Sequence, residues 1–478
     1  MNLLNNKKDI AILSAAILGF YLISQVFYGY LTLPDDVYIY LKYVRNLISF
    51  DEISFNKGIK TYGFTSPLWL FLIYASSFVS NNLYSIPQYL SLLCAFLSIV
   101  IWYMILDKMC VDYMKYLLLL MIIFEPNLLK HSNIGFESTM CFFLSSWLIY
   151  ILFYTKKDNL YLLGIVLGLY PLVRPDSLIF LLPIVSSVLI KKKVPFKAQI
   201  FLLTLICIIN FPWLIFSYLY FGTIFTSTFY VKGNGTAFGS KYIENSVDVA
   251  KIFFGNYMVP ILATIIILVK SRTEKFNNYI KFVTAISISC LFYIISINNE
   301  IIYARYFMTV FPFLMYIFCL VLLSLGNGRR FNYVISLTLT NFIVILLTTN
   351  LFGANVYKHN EDVETQICNW INVNTSGSDK VVRERIGKVG FYCDRVVIDP
   401  IGIINKDIVE FQKNNEVEKY YMKYKPNIFI GDYDTIFQKN SIKYKVEKKF
   451  LTQHSSILRT QFLHENILDT IKVYRVDW

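Results

Sequence analysis

Long apolar runs separated by short polar gaps recur along the first three-quarters of the chain. They fall near residues 10–31, 86–106, 116–130, 138–154, 160–173, 178–190, 198–219, 252–269, 279–297, 303–325 and 332–353. Runs of this kind with few charges predict membrane-spanning helices. One further apolar run, Pro67 to Val79, has about 13 residues and is too short to span. It predicts a re-entrant or interfacial helix.

The gaps alternate in character. One set is basic: Lys7/Lys8, Lys108 to Lys115, Lys156/Lys157, Lys191 to Lys197, Lys270 to Lys275, and Arg329/Arg330. The other carries Asp35/Asp36, Glu137, Arg174/Asp176, the 222–250 loop and Glu300/Arg305. Cationic loops stay in the cytoplasm, so the basic set belongs inside. This placement gives about eleven spans and puts the C-terminus outside. Counting 67–79 as a span would turn every later basic gap outward. The runs 116–130, 160–173 and 178–190 are short, which leaves the Arg174-Pro175-Asp176 tip recessed below the outer surface. A charge at mid-bilayer costs about 2.5–3.5 kcal/mol on insertion scales. A cavity filled by water or substrate around the tip is therefore expected.

Beyond about residue 354 the pattern changes. Short β-like runs (Lys380 to Val382, Val396 to Ile398, Asn427 to Ile430) alternate with helix-like stretches (Val363 to Ile371, Ile408 to Tyr424). This predicts a small α/β domain. The expected architecture is a polytopic α-helical membrane protein, residues 1–353, followed by an extracytoplasmic α/β domain, residues 354–478. No internal repeat is evident.

Composition agrees with the pattern. Of 478 residues, 56% are hydrophobic and 17% aromatic, so the lipid bilayer is the first partner. The net charge of +13 sits in the inter-helix gaps and is not a nucleic-acid signal. The first apolar run lacks a small-residue cleavage site and reads as a retained helix. Most of the eight cysteines lie in or beside apolar runs. Cys368 and Cys393 lie in the polar part and can pair if it faces an oxidising compartment.

The candidate chemistry gathers on the outer side. Asp35-Asp36 directly follow the first span and open a stretch with apolar residues at helical spacing: Val37, Leu41, Val44 and Leu47/Ile48. Acidic residues suit a helix start on their own account. With two adjacent carboxylates at a membrane exit, the like charge also raises the pKa of one of them, which suits a general base. Lys57, Lys60, Tyr62 and Thr65 follow, before Pro67-Leu68-Trp69. The lysines either snorkel to the interface or hold a donor phosphate. Glu137 either caps a helix or points into an outward cavity. Arg174 and Asp176 can pair with each other. Arg305-Tyr306 is an outer-face cation beside an aromatic anchor. Carboxylates, cations and aromatics in one outward cavity suit sugar transfer from a lipid-borne phosphate.

These residues carry a resemblance. The run Asp35-Asp36, Tyr43, Asn46, Phe55-Asn56, Gly63 and Thr65-Ser66-Pro67-Leu68-Trp69 resembles the GT-C superfamily of integral-membrane glycosyltransferases, in particular its arabinofuranosyltransferase-like branch. Later similar pieces are Gly135 to Ser138, Leu172 to Asp176, Tyr220 to Lys232, Arg305-Tyr306 and Val397-Ile398-Asp399 with Gly402. The chain departs from the pattern at Lys42, Ser49 to Glu52, Tyr62 and Thr226-Ser227. The resemblance implies a polyprenyl-phosphate-linked sugar donor and an inverting transfer to a glycan, lipid or protein acceptor. It also implies a catalytic Asp in the first outer loop; Asp35 is expected as the base and Asp36 as support for substrate or metal, with the reverse assignment left open. Lys232 joins the expected substrate-binding set with Lys57, Lys60, Tyr62, Thr65, Glu137, Arg174, Asp176, Arg305 and Tyr306. Some relatives use a divalent cation and others do not. A transporter or flippase of lipid-linked sugars is the alternative, and a surface-polysaccharide polymerase or ligase a third reading. The chain carries no phosphate-binding loop, zinc-protease helix, nucleophile elbow or dinucleotide fingerprint.

Overall fold

A computed structural model describes residues 7–253 apart from 30, 111–112, 156–158 and 234–243. It also describes 303–323, 363–478 apart from 406, 415 and 455–466, and isolated helical positions within 286–293 and 332–343.

Among the described residues, three helices are long and apolar enough to cross a bilayer: α1 (Lys7–Tyr28), α4 (Ile86–Met109) and α10 (Phe196–Phe221). Shorter apolar helices accompany them: α3 (Pro67–Ser77), α5 (Met114–Ile123), α7 (Ser138–Tyr154), α8 (Leu160–Val173) and α9 (Ser177–Lys191), with Phe311–Leu323 later in the chain. Between α1 and α3 lies the amphipathic α2 (Asp35–Phe50), and α6 (Pro126–His131) follows α5. The expected runs 252–269, 279–297 and 332–353 lie largely outside the described residues.

Local chemistry sets the breaks. Pro34, with extended backbone, precedes α2, whose first turn holds Asp35 and Asp36. The Ser66 hydroxyl accepts from the Trp69 amide and Pro67 follows, so α3 starts there. The expected run 116–130 is not one helix. It divides because Glu125 accepts from the Leu128 amide and Pro126 opens a new turn. The expected run 303–325 likewise opens with a 3-10 turn, Ala304–Phe307, before its helix begins at Phe311.

α8 and α10 pack closely because Gly164 and Gly168 lie one turn apart on the facing side. A Cβ on either would meet Leu205 or Ile209 at 2.5 Å. Small residues at this spacing let membrane helices approach. Asn210 of α10 donates to the Gly168 carbonyl at 2.9 Å, a polar bond that fixes the register.

The C-terminal part is a five-stranded sheet flanked by short helices. The strands are β1 (Lys380–Val382), β2 (Val396–Ile398), β3 (Ile428–Gly431), β4 (Tyr444–His454) and β5 (Ile467–Val476), in the order β2-β1-β3-β5-β4. β1 pairs in parallel with β2 and β3, while β5 is antiparallel to both β3 and β4. β1 and β2 match the expected runs, and β3 is displaced by one residue. The stretch Ile408 to Tyr424 forms two helices, Ile408–Lys413 and Val417–Tyr424. The long β4/β5 ribbon and the helix Ile386–Tyr392 were not expected. Cys368 and Cys393 form a disulfide joining Ile386–Tyr392 to the helix Val363–Asn374.

Candidate active site

α2 is the platform. Asp36 receives Nη2 of Arg305 at 2.7 Å and keeps its side chain 49% exposed. The Arg305 guanidinium lies 4.4 Å from the Phe136 ring centre, and its buried Nε has no hydrogen-bond partner among the described residues. Cation–π contact of this kind holds a cation without neutralising it.

A second cation stands nearby. Arg174, at the end of α8, donates to both oxygens of Asp176 at 3.0 and 2.8 Å and to Oε1 of Glu137 at 3.1 Å. Glu137 and Asp176 stand at the starts of α7 and α9, yet neither side chain caps its helix. Both are turned to Arg174 instead. The Glu137 Oε2 atom is buried and has no hydrogen-bond partner among the described residues. Tyr306 ties the two cations together: its ring centre is 4.9 Å from the Arg174 guanidinium and 5.5 Å from that of Arg305. Tyr293 donates to Asp176 at 3.4 Å. Tyr40 of α2 exchanges a hydrogen bond with Thr65 at 3.2 Å and feels the charges of Glu137 and Arg174.

Asp35 is engaged differently. Its Oδ2 accepts from the Gly387 amide at 2.9 Å and its Oδ1 from the Lys388 amide at 2.8 Å. Both amides belong to the first turn of Ile386–Tyr392. Burial raises the Asp35 pKa, the two amides pull it down, and the Asp36 charge raises it further. The net effect is a carboxylate raised above its ordinary range, with both oxygens oriented. The rest of this face is also pinned by the tail. Arg45 donates to the Phe391 carbonyl at 2.6 Å. Tyr38 packs on the rings of Phe391 and Tyr392. Asn56 makes a reciprocal pair with Val397, donating to its carbonyl at 2.8 Å and accepting from its amide at 2.9 Å.

The predicted residues therefore sort into groups. Asp36, Glu137, Arg174, Asp176, Arg305 and Tyr306 form one connected network, and Thr65 meets it through Tyr40. Tyr62 does not reach it. Its hydroxyl accepts from Trp213 at 2.7 Å and its ring stacks on Phe221, 5.0 Å away. Lys60 lies 4.3 Å over the Tyr220 ring and Lys57 4.0 Å over that of Phe50. These three residues touch aromatic side chains rather than the charged network. The Lys232 side chain lies outside the described residues. Tyr40, Phe136, Tyr293, Gly387 and Lys388 were missed. Phe136 sits inside the noted Gly135-Phe136-Glu137-Ser138 stretch and was legible. Gly387 and Lys388 were not, because the Asp35 contact spans 352 and 353 positions of sequence.

A divalent cation fits this site poorly. Among the described residues no three His, Cys, Asp or Glu side chains converge. Asp36 has a guanidinium as its partner instead.

The bundle of apolar helices, α2 with its Asp pair and the C-terminal sheet domain together form a fold that is also seen in solved structures. Two solved structures of ArnT from Cupriavidus metallidurans share it. The apo form matches with TM-score 0.62 at 11% identity, over 97% of each chain. The form bound to undecaprenyl phosphate matches with TM-score 0.61 at 9% identity, again over 97% of each chain. The apo oligosaccharyltransferase of Archaeoglobus fulgidus matches with TM-score 0.54 at 11% identity, over 91% of this chain and 71% of that one. Residues 354–474 match the family model described as "Domain of unknown function (DUF8728)". No curated protein sequence matches the chain.

Proposed function

We propose that the chain is a membrane glycosyltransferase. It moves a sugar from a polyprenyl-phosphate donor to an acceptor hydroxyl of a cell-surface glycan, lipid or protein. The observation that carries this reading is the pairing, on a GT-C fold, of an oriented carboxylate at Asp35 with the Arg305–Asp36 ion pair beside it. The undecaprenyl phosphate bound to ArnT supports a lipid-phosphate donor of that class. The order of motifs along the chain favours the arabinofuranosyltransferase-like branch.

In this mechanism Asp35 takes the proton of the acceptor hydroxyl. The acceptor oxygen attacks the anomeric carbon from the face opposite the phosphate. The anomeric carbon–oxygen bond breaks, the lipid phosphate leaves with both electrons, and the configuration inverts. Arg305 supplies positive charge beside the departing phosphate. General-base assistance of this kind is worth about 10²–10⁴-fold, roughly 3–5 kcal/mol of barrier. No step is assigned to a metal.

The tail supports an outward-facing site in the cell membrane. It holds both a disulfide and the amides that meet Asp35, so the carboxylates and the disulfide share one side. Disulfides persist in oxidising compartments. The division into a catalytic part, 1–353, and an extracytoplasmic domain, 354–478, belongs to the same proposal.

The test is mass spectrometry of surface glycans in wild type, a gene deletion, Asp35→Asn and Asp36→Asn, with membrane levels of each variant measured. The expected result is loss of one sugar in the deletion and in Asp35→Asn, with the variant still inserted. If the deletion loses the sugar while both Asn variants match wild type, the lipid-linked-sugar transporter reading replaces this one.

A further inference from the structure

The C-terminal domain touches the start of α2 at Asp35. The Gly387 and Lys388 amides lie in the first turn of a helix, where backbone N–H groups have no carbonyl partner within the helix. Each is satisfied by one oxygen of Asp35. The fit leaves no room: a Cβ on Gly387 would meet the Asp35 backbone oxygen at 1.8 Å. A Cβ on Gly390, one turn on, would meet the Phe55 ring at 2.1 Å. The same surface carries the reciprocal Asn56–Val397 pair and the Arg45 bond to the Phe391 carbonyl. The Cys368–Cys393 bridge holds the far end of this helix to its neighbour.

We infer that the C-terminal domain completes the active site, with the backbone amides of Gly387 and Lys388 acting as positioning groups for the Asp35 carboxylate. The inference deepens the transferase reading and rests on it for the catalytic consequence. A base works only when its lone pair points at the proton to be removed, and an Asp side chain on an interfacial helix has free rotamers. Two amide bonds from a second domain remove that freedom. An error of about 1 Å in such placement costs on the order of 10²-fold in rate. The domain is thus a structural half of the catalytic loop rather than a separate binding module.

Lys388 allows a clean test. Lys388→Pro removes the amide hydrogen, and the first helical turn tolerates proline because that hydrogen has no partner within the helix. Lys388→Ala keeps the amide and removes only the side chain. In the deletion strain, Lys388→Ala sets the reference level for restoring the missing surface sugar. Lys388→Pro is expected to restore it at least tenfold less, at equal membrane level.

A second arm reads the contact without any substrate and decides the matter where Lys388→Pro is poorly folded. Hydrogen–deuterium exchange is followed over residues 384–392 of the full chain in lipid nanodiscs. Asp35→Ala is expected to speed exchange of the Gly387 and Lys388 amides at least tenfold, and Asp36→Ala to leave them unchanged. Equal restoration by a well-folded Lys388→Pro and by Lys388→Ala overturns the inference. So does unchanged exchange in Asp35→Ala. If the deletion strain loses no sugar, the transferase reading fails, while the exchange arm still reports on the contact itself.

Discussion

Arg174 shows how much rests on single side chains. It is the shared partner of Glu137 and Asp176, and its side chain is only 11% exposed. Buried charges are tolerated when paired, and removing one partner strands the others at a cost of about 3–5 kcal/mol. Arg174→Met takes the shared cation away from the buried Glu137 and the partly buried Asp176. It is expected to lower thermal stability in detergent sharply, and Arg174→Lys less so because one ionic contact survives. A thermal melt of the purified variants checks this. The same arithmetic explains why the Arg174-Pro175-Asp176 tip was readable from sequence. Charges within an apolar stretch demand partners. The identity of one partner, Glu137, was not readable, since it stands 37 residues away on another helix.

At the scale of elements, α2 is held from two sides. Its body packs on the membrane helices and its outer face on the helix Ile386–Tyr392, with Asn56 just beyond bonded to β2. Asn56→Ala leaves the amide and carbonyl of Val397 unsatisfied in a buried place. Each orphaned group costs about 1–3 kcal/mol. The variant is expected to loosen the tail from the loop, seen as faster limited proteolysis within residues 380–400 while the membrane helices stay protected. The strand boundaries illustrate the limits of pattern reading. β1 and β2 are short, buried, β-branched runs and stand out. β4 carries Lys445, Lys448 and Lys449 at the sheet edge, with a bulge between Val446 and Lys448. Its polar edge hides it from a hydrophobicity pattern, although lysine is a usual guard of exposed strand edges.

For the whole molecule, the disulfide links fold to compartment. Cys368 and Cys393 close a loop with a sequence separation of 25. Closing a loop of this size stabilises a small domain by about 3 kcal/mol in the chain-entropy view. Peptide mapping without reductant is expected to recover the two cysteines linked. Cys368→Ser is expected to destabilise the tail and lower transfer through the contact with α2. Recovery of both as free thiols from freshly isolated membranes would place the tail on the reducing side and reverse the topology.

Some properties of this protein depend only on local chemistry. Lengths of apolar runs and the helix starts at Pro34, Ser66 and Pro126 follow from solvent and backbone rules acting within a few residues. So the helical membrane class, the α/β tail and the acidic opening of α2 could be read directly. Which groups meet was another matter. The two amides on Asp35, the guanidinium on Asp36 and the Arg174 fork join residues from distant parts of the chain. Those pairings arise because burying a charge or an amide without a partner is costly, and only the folded packing determines which partner is within reach.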